Sequence, residues 1–239
     1  MDENLHVNSR LGFIKKVYGI VGTQLSVTAL WTTAVCVTPA LHNFVVTSNF
    51  IFILTLIAGL VSTCCLAFSK HMRNTVPINY FLLAVATLAS AYSVSISVAY
   101  YPGEIIAQAL VITAAVVAGI TIYAWSATTT FNSLRALVIC SLSLFVANLL
   151  LRLVMPSDMF HWTIYLLSGL LAGLSLLYQL QAVFGKKDFK YESDDYILAS
   201  LNVYYDVVDL FLTILKVLNA LQNKDQDKKD KKKKQNPDL

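Results

Sequence analysis

Residues 196–221 read YILASLNVYYDVVDLFLTILKVLNAL, an apolar stretch that carries a regular series of polar side chains. The stretch is longer than the roughly 20 residues that a helix needs to cross about 30 Å of hydrocarbon. Its polar side chains follow one another at steps of 4, 3, 4 and 3 residues, so they share one face of a helix. They are Asn202, Asp206, Asp209, Thr213 and Lys216. Because a carboxylate at mid-bilayer costs about 2.5–3.5 kcal/mol, this face is predicted to lie against protein or water, in the middle of a helical bundle.

The composition of the whole chain is that of an integral membrane protein. Of its 239 residues, 56% are hydrophobic and 13% are charged, whereas soluble domains have roughly 25% charged residues. The mean hydropathy is +0.62. Seven apolar stretches are long enough to span a bilayer, and they lie at 17–38, 49–68, 78–99, 105–125, 134–154, 162–184 and 196–221. We therefore predict an all-α polytopic membrane protein with seven transmembrane helices, the last enclosed by the other six.

Three regions follow from this count: a cytosolic amino-terminal segment at 1–16, a transmembrane domain at 17–221 and a lysine-rich polar tail at 222–239. If the amino terminus is cytosolic, nine basic residues of the amino-terminal segment, the loops and the span ends lie on that side and only Arg152 lies on the other, as the positive-inside rule requires. The tail opposes this bias, because seven of the eighteen basic residues lie between Lys224 and Lys234. We expect the tail to be a mobile or surface-bound appendage.

Catalytic motifs are absent from the sequence. It has no glycine-rich phosphate loop, no nucleophile elbow and no paired Cys-x-x-Cys, and its polar connections are too short to hold a catalytic domain. We predict that the chain is not an enzyme, has no cofactor and binds no nucleic acid. The lipid bilayer is its expected environment.

The two carboxylates of the last stretch have the clearest chemistry. Asp206 and Asp209 are near neighbours on a helix, and in a low-dielectric site their charges repel, so that one proton can be shared between them. Carboxylate oxygens also suit hard cations such as calcium. At this point an ion or proton site and a purely structural hydrogen-bonded network are both open.

A second spacing concerns helix packing. Gly169 and Gly173 stand four residues apart in the sixth apolar stretch. In lipid this GxxxG spacing is typical of a face where two helices approach closely. We predict a packing role for both glycines.

Short motifs along nearly the whole chain occur in the same order as in a known family. The chain opens with RLGFIKKVY at 10–18 and QL at 24–25, and continues with CC at 64–65, Arg73, PINY at 77–80 and a run at 108–124. It closes with DY at 195–196, ASLN at 199–202 and YDVVDLF at 205–211. In these motifs it resembles the transmembrane Bax inhibitor motif family, also called the lifeguard family.

This resemblance implies a fold of seven helices with the last one enclosed by the others. It also implies pH-sensitive calcium leak across an endoplasmic reticulum, Golgi or mitochondrial membrane, together with suppression of cell death. In the family, a carboxylate of the sixth span and one of the seventh form a proton-sensing latch that an arginine assists. By the resemblance, Asp206 is the seventh-span carboxylate and Arg73 is the candidate arginine.

The chain departs from the family pattern at the other half of this latch. Where the family typically has YDTQ, residues 178–181 read YQLQ, so Gln179, which cannot titrate, replaces an aspartate. In the last span, Asp209 stands where asparagine is usual. Either Asp209 restores a carboxyl pair within one helix, or the latch is lost and Gln179 hydrogen-bonds Asp206.

The leading hypothesis is a cation leak channel or exchanger, with calcium as the transported ion and Asp206 and Asp209 as possible calcium ligands. Its ion or proton site is predicted to comprise Asp206, Asp209, Gln179, Asn202 and Arg73. The alternative is a structural accessory subunit of a larger membrane complex, for instance in the mitochondrial inner membrane, with other integral membrane proteins as partners. A third reading is a regulatory protein that binds membrane proteins through a lipid-facing helix and its tail.

Overall fold

The computed structural model describes residues 2–126, 158–185, 191–192 and 194–235, and this part of the chain is helical, with no strand. The predicted all-α class is thus confirmed for these residues. The helices are α1 (Asp2–Val37), α2 (Pro39–Thr47), α3 (Asn49–Phe68), α4 (Lys70–Asn74), α5 (Ile78–Val98), α6 (Gly103–Ser126), α7 (Asp158–Val183) and α8 (Tyr196–Gln235).

Among the described residues, five helices are long and apolar enough to cross a membrane. They are Arg10–Val37 of α1, all of α3, α5 and α6, and Tyr196–Asn223 of α8. A shorter apolar stretch, Leu167–Val183, lies in α7. The predicted fifth span, 134–154, lies outside the described residues, so the count of seven remains a prediction.

Proline and serine residues set the helix boundaries. Pro39 stands at the start of α2, and the preceding Thr38 is extended, as expected for a residue before proline. Ser69 caps α4, because its hydroxyl accepts a hydrogen bond from the backbone N–H of Met72. These breaks turn the chain between spans with very few residues.

Helix α8 is the central helix of the described bundle. It packs against α1, α3, α5, α6 and α7. In its apolar window 56% of the residues are buried, compared with 11% in α3 and 17% in α6. Its fully buried side chains include Ile197, Leu201, Tyr204 and Leu215, which pack on α5 and α6 as one apolar cluster.

One end of the bundle gathers cationic side chains, and we call it the basic end. There Arg10 of α1 donates a hydrogen bond to the Tyr191 carbonyl oxygen at 2.9 Å. Two residues of α4 form ion pairs just before α8, Lys70 with Glu192 at 2.9 Å and Arg73 with Asp195 at 2.8 Å. The amino-terminal segment, α4 and the start of α8 therefore lie on the same side of the bundle.

The lysine-rich tail continues α8. The backbone stays helical to Gln235, so the helix has 40 residues and a length of about 60 Å, twice the hydrocarbon thickness. Because α8 begins at the basic end, the tail leaves the bundle at the opposite end. The tail was expected to be an appendage, and its backbone is a helical extension of the central span.

Glycines mark the closest approaches between helices. A Cβ atom on Gly169 would lie 3.2 Å from Thr213 Cγ2 on α8, and one on Gly173 would lie 3.8 Å from Ile120 Cδ1 on α6. Both glycines of the GxxxG pair thus lie at helix contacts, although they face different partners. A shorter distance occurs at Gly59 of α3, where a Cβ would lie 2.9 Å from Ala89 Cβ on α5.

Gly59→Leu is expected to lower the stability of the protein by about 1–3 kcal/mol or more, because the added side chain must push α3 and α5 apart. Thermal unfolding in mild detergent measures this loss. Gly119→Leu is the matched control, since no atom of the described residues lies within 4 Å of a Cβ at that position. Equal melting temperatures for the two variants would show that α3 and α5 do not pack as described.

Candidate intramembrane ion site

The polar face of α8 passes through the whole depth of the membrane. With a rise of about 1.5 Å per residue, Asp206 lies about 15 Å along the helix from Tyr196, near the middle of a hydrocarbon layer about 30 Å thick. Lys216 lies about 30 Å from Tyr196, where its long side chain can reach the far interface. Asp206 and Asp209 therefore both lie in the central part of the span Tyr196–Asn223.

The polar residues lie along the edge of α8 and are not sealed inside the bundle. Asn202, Asp206 and Thr213 are half-buried, whereas Asp209 and Lys216 are exposed in the described part of the chain. The other faces of α8 carry the apolar residues that pack on α1, α5, α6 and α7. The prediction that the polar face lies against protein or water stays a prediction, since the predicted fifth span lies outside the described residues.

Of the two carboxylate oxygens of Asp206, one accepts a hydrogen bond and the other has no partner among the described residues. Ser175 of α7 donates a hydrogen bond to Asp206 Oδ1 at 2.9 Å. The other oxygen, Oδ2, is buried and accepts no hydrogen bond from any described residue. Since a buried polar atom without a partner is costly, this oxygen is suited to a proton, a water molecule or a cation.

Gln179 and Asn202 meet at a tyrosine that the sequence analysis did not single out. The Tyr191 hydroxyl donates to Gln179 Oε1 at 2.6 Å and accepts from Asn202 Nδ2 at 2.9 Å. Gln179 thus bonds Tyr191, and no hydrogen bond joins it to Asp206 among the described residues. We call Gln179, Tyr191 and Asn202 the amide–tyrosine triad.

The triad does not titrate under physiological conditions. Tyr191 is only 5% exposed, and burial raises its pKa to about 12, although the hydrogen bond from Asn202 opposes this shift. The phenol therefore stays neutral and keeps donating to Gln179 at every pH below about 10, and its contribution to stability is lost only as the pH rises further.

Arg73 lies away from Asp206. Its Nε is 2.8 Å from Asp195 Oδ1, and the two side chains are only 12% and 13% exposed. Asp195 precedes Asp206 by eleven positions, which corresponds to about 16 Å along a helix. The structure thus pairs the candidate latch arginine with Asp195, at the basic end, and does not bring it to Asp206.

The neighbouring pair of Lys70 and Glu192 is of a different kind. Both side chains are about two-thirds exposed. Each partner stabilises the charged form of the other, so the pKa of Lys70 is raised and that of Glu192 is lowered. Because solvent screens such pairs, we expect this one to add little to stability.

The described carboxylates do not form a metal-ligand cluster. No group of three or more His, Cys, Asp or Glu side chains is gathered in the described residues. Calcium takes six to eight oxygen ligands as a rule, so Asp206 and Asp209 would need water and hydroxyl oxygens such as that of Ser175 to complete its shell.

All the residues of this site lie within the part of the chain that matches a known protein family. The sequence model of a family described as inhibitor of apoptosis-promoting Bax1 matches residues 10–223, from the start of the α1 span to the end of the α8 span. Protein LIFEGUARD 3 of Arabidopsis thaliana is 32% identical over 228 residues, which cover 91% of this chain and 89% of that protein. Protein lifeguard 4 of Mus musculus is 26% identical and the Golgi anti-apoptotic protein of vaccinia virus (strain Lister) 23% identical, each with 91% of this chain and 89% of the relative covered.

Proposed function

Because this chain belongs to the Bax inhibitor, or lifeguard, family of membrane proteins, we propose that it is a pH-sensitive cation leak channel or exchanger. Calcium is the proposed ion, and the proposed roles are calcium homeostasis and the control of cell death. One of its relatives is named as an anti-apoptotic protein. The lipid bilayer is the environment of its apolar helices.

The observation that carries this proposal is the available oxygen of Asp206. It lies near mid-bilayer, on the central helix, and it has no hydrogen-bond donor among the described residues. A transported cation needs a site of this kind, where a ligand at membrane depth replaces part of its hydration shell without holding it permanently. Asp209, one turn further on, is exposed and offers the next ligand along the same face.

The pH sensitivity is proposed to arise from the same carboxylates. A proton and a calcium ion compete for Asp206, so acidification removes the ligand and reduces the flux. The triad that contains Gln179 is uncharged and does not take part in this competition. With Gln179 in place of a carboxylate, the response to pH depends on the carboxylates of α8.

A membrane of the secretory pathway is the proposed location. The vaccinia relative is named for the Golgi, which favours the Golgi or endoplasmic reticulum over the mitochondrial inner membrane. No targeting motif in the sequence selects between these two.

A structural accessory subunit is the alternative, and one observation favours it. Gln179, which stands in place of the first latch carboxylate, is bonded within the neutral triad. A chain that has lost the latch could have kept the fold as a scaffold for other membrane proteins. The two functions differ in whether the isolated protein conducts.

The test is calcium efflux from sealed vesicles that contain the purified protein and a calcium indicator. At about pH 8, where carboxylates are ionised, we expect efflux above that of protein-free vesicles, and a lower rate at about pH 5.5. Efflux equal to that of protein-free vesicles at both pH values would contradict the proposal and favour the accessory subunit.

Gln179→Asp is expected to make this pH dependence steeper, because it places a second titratable group beside the α8 stripe. Its matched control is Gln179→Asn, because asparagine has the shape of aspartate but carries no charge. The measurement is the ratio of the efflux rates at the two pH values. Identical ratios for the two variants would show that position 179 is not coupled to the conducting carboxylates.

A further inference from the structure

A short acidic segment before α8 is fastened to the bundle at three successive points. We call residues 191–192 and 194–195 the strap. Arg10 donates to the carbonyl oxygen of Tyr191 at 2.9 Å, Lys70 pairs with Glu192 at 2.9 Å and Arg73 pairs with Asp195 at 2.8 Å. The three cations come from two different helices, so the strap is held from both sides.

Arg10 also connects the strap to α7. Its guanidinium donates to the carbonyl oxygen of Ala182 in the last turn of that helix, where a cation is favourable. The Arg10 guanidinium lies beside Gly185, where a Cβ atom would be only 2.9 Å from Arg10 Nε. The φ angle of Gly185 is +72°. Glycine is favoured at this position because of the close contact and because of the positive φ. A single arginine thus ties α1, the end of α7 and the strap together.

The side chain of Tyr191 projects from the strap into the bundle. It is 5% exposed, its ring stacks on Phe13 of α1 with centroids 6.5 Å apart, and its hydroxyl joins Gln179 of α7 to Asn202 of α8. Asn202 is the first polar residue of the α8 stripe, about 6 Å before Asp206 along the helix. Tyr191 therefore occupies the space between α7 and α8 where the stripe begins.

We propose that the strap is a gate, in which Tyr191 closes the basic end of the α8 stripe and its cationic partners on α1 and α4 hold it shut. This inference rests on the proposed transport function and deepens it. In the closed arrangement the polar groups of Gln179 and Asn202 are occupied by one phenol. Release of the strap exposes both groups and gives water access to Asp206 from the basic end.

Efflux measurements on Tyr191 variants test the gate. Tyr191→Ala is expected to raise calcium efflux about tenfold, the factor that corresponds to about 1.4 kcal/mol in a barrier. Tyr191→Phe keeps the ring on Phe13 but loses both hydroxyl hydrogen bonds, so a smaller rise is expected. Adding Asp206→Asn to either variant should remove the rise, because the opened path still passes Asp206.

Tyr80→Ala is the matched control. Tyr80 lies at the same end of the bundle and is 46% exposed, and its hydroxyl lies 3.3 Å from that of Tyr196. It does not contact the triad, so its removal should leave efflux unchanged. Tyr191→Phe is the milder opening variant, because it keeps the ring on Phe13, and it serves if Tyr191→Ala fails to fold.

Hydrogen exchange of the amides in 197–202 reports release of the strap independently of transport. Faster exchange and higher efflux in Tyr191→Ala, both absent in Tyr80→Ala, support the gate. If the wild-type protein conducts and Tyr191→Ala changes only the exchange, the strap is structural and the gate is wrong, although the transport function stands. A rise in calcium efflux that persists when Asp206→Asn is added to Tyr191→Ala would also overturn the gate. If no variant conducts, the transport function fails and the gate fails with it.

Discussion

Arg73→Gln is expected to lower the free energy of unfolding by about 3–5 kcal/mol, the usual loss when one partner of a buried ion pair is removed. Arg73 and Asp195 are both largely buried, with 12% and 13% of their side chains exposed. Without the guanidinium, the Asp195 carboxylate is left buried without its counter-charge at the first turn of the central helix. For a domain of this size the loss corresponds to a decrease in melting temperature of about 10 °C, which thermal unfolding in mild detergent can measure.

Two comparisons make this prediction specific. Lys70→Gln removes a cation of the same short helix from an exposed pair and should change the melting temperature little. Arg73→Gln combined with Asp195→Asn removes both charges and should recover part of the loss, because an amide pair has no uncompensated charge. If Arg73→Gln unfolds at the same temperature as Lys70→Gln, the buried ion pair does not hold the strap to α4.

The length and periodicity of 196–221 were sufficient to predict the central helix. A helix that carries two carboxylates at membrane depth needs contacts that a lipid-facing helix does not have, and α8 is indeed the most buried of the described spans. Periodicity also placed Asn202 and Asp206 on one face. It could not determine which neighbour that face meets, because this depends on how the apolar faces of α1, α5 and α6 pack around the helix.

The residues that hold the site at the basic end could not be found in this way. Tyr191 and Asp195 belong to a charged connection between spans, where hydrophobic periodicity carries no information. Their partners, Gln179 and Arg73, are distant along the chain, and only the tertiary structure brings them together. A tyrosine within a charged loop is a weak signal of burial, since the same pattern is common at membrane interfaces.

Helix packing shows the same limit. The spacing of Gly169 and Gly173 drew attention to α7, and both residues lie at helix contacts. Gly59, at which a Cβ would lie 2.9 Å from Ala89 of α5, has no glycine four residues away. Its role depends on Ala89 facing it from another helix, which no local pattern encodes.

Asp206→Asn is expected to reduce calcium efflux about tenfold or more and to remove most of its dependence on pH. Asparagine keeps the size of the side chain and an oxygen that can accept the hydrogen bond from Ser175, but it can neither ionise nor bind a proton in this pH range. The loss therefore reports the charge and not a change in packing. Asp209→Asn should have a smaller effect, because Asp209 is exposed whereas Asp206 is half-buried.

The most direct test of the account is the calcium efflux rate of Asp206→Asn relative to the wild-type protein, in sealed vesicles at about pH 8, where carboxylates are ionised. Equal amounts of reconstituted protein, together with equal melting temperatures of the two proteins, make the two rates comparable. The account predicts a ratio of about one-tenth or less, the effect of a barrier about 1.4 kcal/mol higher. A ratio near one, with clear efflux from both proteins, would contradict the central claim that cations pass through the site at Asp206.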